Sequence, residues 1–166
     1  PQLSFAVESL DSVQEKFDVI VAQEVIEHTD DPFETIQKMK ELMNESGTII
    51  VTCPNFLNLR GYIWMTLQLL LDVPISLSDL HFLSPFDMED FAKRLGLKCK
   101  WRTFRFGQAH GEDMITDLRK RLTNALRDAN LDNSNVEILL DWFAKAARYQ
   151  EEEKFNGAKA LYRFNI

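Results

Sequence analysis

Two β-branched runs separated by one amphipathic stretch constrain the fold more than any other feature of this sequence. Phe17-Asp18-Val19-Ile20-Val21-Ala22 is nearly continuous in apolar residues, the pattern of a strand covered on both faces and therefore of a parallel sheet. Thr48-Ile49-Ile50-Val51-Thr52 repeats that pattern and is closed by Pro54-Asn55. Between the runs Asp31 can cap a helix, Pro32 suits its first turn and Glu34 can complete a capping box. Phe33, Ile36, Met39, Leu42 and Met43 then recur at spacings of three and four, which predicts an amphipathic helix of about three turns before Gly47. A strand, a helix and a strand joined by short connections form a βαβ unit and place the chain in the α/β class.

Leu3-Ser4-Phe5-Ala6-Val7 is a candidate strand. A helix is predicted between Arg60 and Leu71, and another from the Ser84-Pro85 cap to Gly96. Leu97 to Thr103 alternates apolar and basic residues, the pattern of a half-exposed edge strand. Two helices follow, one carrying Met114, Leu118, Leu122 and Leu126, the other Val136, Leu139, Leu140, Phe143 and Ala147, with a break at 128–135. Ala158 to Ile166 is a last strand with Ala160, Tyr162, Phe164 and Ile166 on one side. The 166 residues, 45% of them apolar and 27% charged, suit one domain spanning 1–166, with residues 111–156 as a helical insertion within it.

Charge and cysteine usage narrow the function classes. A net charge of −7 argues against broad capture of nucleic acid or of an anionic membrane. The longest apolar stretch, 62–71, is well short of the roughly 20 residues that a membrane span requires. Cys53 and Cys99 have no paired spacing, and the simplest setting for them is a reducing cytoplasm.

The segment from Phe17 to Pro32, which includes Gln23-Glu24-Val25-Ile26-Glu27-His28, is followed by Gly47-Thr48-Ile49-Ile50-Val51-Thr52-Cys53-Pro54-Asn55 and later by Leu80-His81-Phe82-Leu83-Ser84-Pro85-Phe86. In order and spacing these blocks resemble class I S-adenosylmethionine-dependent methyltransferases over about residues 3–106 and the last strand. The resemblance implies a partial doubly wound, mostly parallel, Rossmann-like sheet with an antiparallel last strand. It also implies S-adenosylmethionine as methyl donor and a small-molecule acceptor. The six glycines form no Gly-x-Gly, whereas such enzymes hold the donor on a Gly-rich turn. The expectation is therefore that the chain corresponds to the C-terminal portion of such an enzyme, and that the Phe17 strand by itself has one unpaired edge and uncovered apolar faces.

Site residues follow from the carboxyl edges of the two strands, where ligands bind in open parallel sheets. By resemblance, Gln23 and Glu24 face the donor, and Glu24 and His28 are the candidate catalytic groups. Asn55, Glu27 and His81 are candidates for binding the acceptor. Glu24, Glu27 and His28, spaced i, i+3 and i+4, would share one face of a helical turn. That set resembles the Mg2+-using O-methyltransferases, including small-RNA 2′-O-methyltransferases, in which His81 would be a further ligand. The bland alternative is that the two glutamates line the acceptor pocket or accept backbone hydrogen bonds while His28 packs. Asn55 equally well just ends its strand. A different class of function is a non-catalytic remnant that uses the open sheet edge and the apolar 62–71 helix to associate with itself or a partner.

Overall fold

The computed structural model describes residues 3–166. Four strands form one mixed sheet in the order β1-β2-β4-β3, with β1 at Phe17–Gln23, β2 at Met43–Pro54, β3 at Lys98–Phe104 and β4 at Lys159–Asn165. The β1–β2 pair is parallel, and β4 runs antiparallel to both β2 and β3. The α/β class and the antiparallel last strand are as expected, although among the described residues parallel pairing is confined to β1 and β2. Helix α1 (Pro32–Glu41) makes the crossover, and Asp31 caps it by accepting from the Glu34 amide at 3.0 Å.

Met43 leaves the predicted helix and instead pairs with Phe17, so β2 begins earlier than its β-branched run. The register between the two strands then shifts before Val19 meets Thr48. Leu3–Val7, expected as a strand, is irregular and exposed. A strand needs a ladder partner for its amides and carbonyls, and no described strand lies beside it.

Two apolar clusters organise the rest. In the first, Ile49, Val51 and Cys53 of β2 and Ala160, Tyr162 and Phe164 of β4 pack against Ile36 and Met39 of α1. Met88 and Ala92 of α3 (Pro85–Arg94) close the same layer. Gly96, at a φ of +66°, ends the exit from α3 as predicted. The opposite face of β1 is open: Val19 and Val21 are 56% and 60% exposed, so the run read as covered on both sides has one side covered. Ile166, expected beside Phe164, is exposed beyond the end of β4.

The second cluster joins α2 (Leu59–Leu71) to the helices between β3 and β4. These are a short α4 (Gly107–His110), α5 (Glu112–Asp128) and α6 (Val136–Ala146). Trp64 of α2 packs with Met114, Leu118 and Leu122 of α5 and with Leu140 and Phe143 of α6. No helix among the described residues is long and apolar enough to cross a membrane.

Candidate active site

The carboxyl end of β1 turns sharply. The Glu24 amide still donates to the Thr52 carbonyl, at 2.9 Å, and prolongs the parallel pairing by one residue. Glu24 itself then adopts a left-handed φ of 54°, a conformation that costs a side-chain-bearing residue about 1–3 kcal/mol and clusters at functional sites. Its carboxylate is ion-paired with the Lys159 ammonium at the start of β4. Because β4 is antiparallel, its first residue lies at the same sheet edge as the last residue of β1. Burial lowers the Lys159 pKa from the ordinary lysine value.

This turn separates residues that sequence spacing would group. The following helical turn is a tight 3₁₀ turn at Ile26–His28 that starts after Glu24, so Glu24, Glu27 and His28 do not share a helical face. Glu27 is 2% exposed, and its Oε2 has no hydrogen-bond partner. Burial raises its pKa. Its backbone carbonyl accepts from the amides of Leu80 and His81, at 2.9 and 3.1 Å. His28 Nδ1 lies 2.9 Å from the Ser78 carbonyl and 3.4 Å from Asp79 Oδ1. His81 Nε2 meets the Thr29 carbonyl at 2.9 Å and the Asp30 carbonyl at 3.2 Å.

The two histidines therefore stitch the 26–30 turn to the 76–83 loop from opposite sides. Glu24 is held by a lysine and His81 by backbone oxygens, so the four side chains considered for Mg2+ are dispersed. No cluster of three potential metal ligands forms among the described residues. Gln23, the partner of Thr52 in the ladder, remains exposed at the edge. Thr52 Oγ1 and Glu27 Oε2 are buried polar atoms without hydrogen-bond partners near this edge.

Asn55 is 1% exposed and committed to the backbone. Its Nδ2 donates to the carbonyls of Gly157, at 2.7 Å, and Phe155, at 3.2 Å, while its Oδ1 accepts from the Leu57 amide at 3.4 Å. Asn58 repeats the arrangement, donating to Gly157 and capping α2 through the Gly61 amide at 2.8 Å. The pair fixes where α2 leaves the sheet edge.

Between that edge and α5 lies a cavity of about 250 Å³. Its apolar walls are Phe56, Trp64, Ile75 and Phe82, with Phe56 and Phe82 edge to face at 5.8 Å. Arg60 Nε donates to Asp117 at 2.8 Å, and Arg121 approaches the same carboxylate at 3.7 Å. Arg121 also donates to the Ile75 carbonyl and lies over the Trp64 ring, 4.9 Å from its centroid. Lys159 and Asp79 complete the part of the wall nearest β1.

Sequence reasoning missed Arg60, Asp79, Arg121 and Lys159. The antiparallel last strand was a usable signal for Lys159, since its first residue must lie at the carboxyl edge of β2. Arg60 and Arg121 come together only when α5 docks on α2, and Asp79 reaches the wall only when its loop packs on the Ile26–His28 turn. Burial pushes the Cys53 thiol far up and the Cys99 thiol to about 11, which disfavours the thiolate that a nucleophile needs.

Comparison with known proteins sets this geometry in a family. A family model described as a methyltransferase domain matches residues 2–136. A SAM-dependent methyltransferase of Thermotoga maritima, described as a possible histamine N-methyltransferase, superposes with a TM-score of 0.55 at 12% identity, over 95% of this chain and 61% of that one. A cyclopropane-fatty-acyl-phospholipid synthase-like protein of Lactobacillus casei gives 0.55 at 10% identity, over 96% and 61%. A SAM-dependent methyltransferase of Archaeoglobus fulgidus gives 0.50 at 15% identity, over 95% and 63%. No curated protein matches by sequence. The chain thus spans less than two thirds of the length of these structural neighbours, and at such identities they speak for the fold. The family model covers most of the chain, and on that ground the protein belongs to the methyltransferase-domain family.

Proposed function

We propose that these residues form the acceptor side of an S-adenosylmethionine-dependent methyltransferase acting on a small molecule. One observation carries the reading: Glu24, strained at the carboxyl end of β1, is ion-paired to Lys159, which also lines the cavity between the sheet edge and α5. Strain held in place at a sheet's carboxyl edge, beside a half-enclosed cavity, is what a binding site requires. The donor supplies a sulfonium methyl group. Gln23 and Glu24 contact it from the β1 edge. Phe56, Trp64 and Phe82 align the acceptor and exclude water, which is most of what an in-line displacement asks of a protein. The methyl carbon would part from the sulfonium sulfur, leaving S-adenosylhomocysteine as a neutral thioether, as it bonds to the acceptor, and His28, which Ser78 and Asp79 hold in place, would take the acceptor's proton. Glu27 and His81 fix the loop that carries Asp79. No step in this proposal depends on Mg2+. The free thiols Cys53 and Cys99 suit a reducing, cytoplasmic setting.

Calorimetric titration with S-adenosylmethionine and S-adenosylhomocysteine tests the reading. With no Gly-x-Gly turn to hold the donor, only weak binding of both, at about 0.1 mM, is expected, and Glu24→Gln should weaken it about tenfold or more through loss of the Lys159 pair. A chain shown by circular dichroism to be folded, yet binding neither, would overturn it. A second reading, association through the β1 edge, is favoured by the exposed Val19 and Val21.

A further inference from the structure

The charges around the cavity are unevenly committed. Asp117 is shared by Arg60 and Arg121, so one carboxylate serves two guanidinium groups. Arg60 uses only its Nε in that contact and its side chain is 18% exposed, with no other hydrogen bond from its guanidinium among the described residues. Trp64 on the same wall is 2% exposed, and its indole N–H is buried without a partner. This part of the cavity therefore has donors and positive charge to spare. Lys159 is neutralised by Glu24.

The part nearest the β1 turn is the opposite. Asp79 is paired with no lysine or arginine among the described residues; the ionisable groups near it are His28, at 3.4 Å, and the buried Glu27, which repels it when ionised. Asp113, the remaining acidic residue of the wall, sits in the first turn of α5, where the helix dipole favours it. Asp79 has no such compensation.

We infer that the acceptor is a small zwitterion with an aromatic or apolar body, an amino-acid-like molecule whose carboxylate meets Arg60 and Trp64 and whose ammonium meets Asp79. The body fills the space between Phe56, Phe82 and Ile75. An anion alone leaves Asp79 unmatched, and a cation alone leaves the Arg60–Arg121 surplus unmatched, each at the cost of an uncompensated, poorly solvated charge. The inference rests on the acceptor-site reading and narrows it to a substrate class.

Probes with one body and different charges test it: L-phenylalanine, 2-phenylethylamine and 3-phenylpropionate, titrated by calorimetry into the folded chain. Phenylalanine should bind about tenfold more tightly than either singly charged analogue. Asp79→Asn should abolish its advantage over phenylpropionate, and Arg60→Gln its advantage over phenylethylamine. Equal affinity for all three probes, binding of none of them, or insensitivity of phenylalanine to both substitutions would overturn the inference. S-adenosylmethionine affinity measured on the same samples separates the two readings. Donor binding without charge discrimination sinks the zwitterion and leaves the methyltransferase site standing, whereas loss of donor binding sinks the site itself.

Discussion

A buried carboxyl with an unpartnered oxygen is a cost that a fold carries for a reason other than stability, and Glu27 has that character. Its pKa is raised above the ordinary glutamate value of 4.5, chiefly by burial. The folded chain keeps the Glu27 proton over a pH window in which the unfolded chain has already lost it. Stability therefore falls as pH rises through that window, and the full penalty is present above the folded-state value. Glu27→Gln removes the titration and keeps the shape. Thermal denaturation should show the variant a few degrees more stable than the parent at neutral pH, with the gain shrinking to nothing near pH 4. A variant less stable at neutral pH would mean that the carboxylate is ionised and favourably bound in the folded chain.

Elements were more legible in the sequence than the contacts between them. The βαβ unit was read because β-branched runs and a capped amphipathic helix state their period locally, and α3 was read because Ser84-Pro85 and Gly96 mark its two ends. The Leu3–Val7 strand was over-read because a short alternating run says nothing about a neighbour to pair with. The Glu24-Glu27-His28 face was over-read because helical spacing matters only if the backbone coils, and a left-handed Glu24 breaks the turn. The Arg60–Asp117–Arg121 group could not be seen at all, since its members lie on α2 and α5 and meet through the packing of Trp64 with Met114 and Leu118.

That packing sets a test for α2. A Cβ on Gly61 would sit 2.2 Å from the Phe56 carbonyl oxygen, a backbone atom that cannot swing aside. Gly61→Ala should therefore destabilise the chain by about 1–3 kcal/mol as an overpacked contact, against the gain of about 1 kcal/mol that the same change gives in an open helix. Chemical denaturation measures the sign directly, and a stabilised variant would show that the α2 entry is looser than the Asn55–Asn58 network implies.

At the scale of the whole molecule the uneven burial of the sheet decides the behaviour in solution. The face carrying Ala22, Ile49, Val51 and Tyr162 is closed by α1 and α3, while Val19 and Val21 stand exposed on the other face of an edge strand. An edge offers unpaired amides and carbonyls, and an apolar face beside it rewards whatever pairs there. The net charge of −7 opposes association only at long range and is screened by salt. For this chain, light scattering should show an apparent mass that rises with concentration, more steeply at high salt. Val19→Lys combined with Val21→Lys should flatten that rise without lowering the thermal midpoint by more than a degree or two, since neither side chain belongs to the core. A single constant mass in the parent chain at all concentrations would mean that the β1 edge is protected, and would remove association from the account of what this chain does.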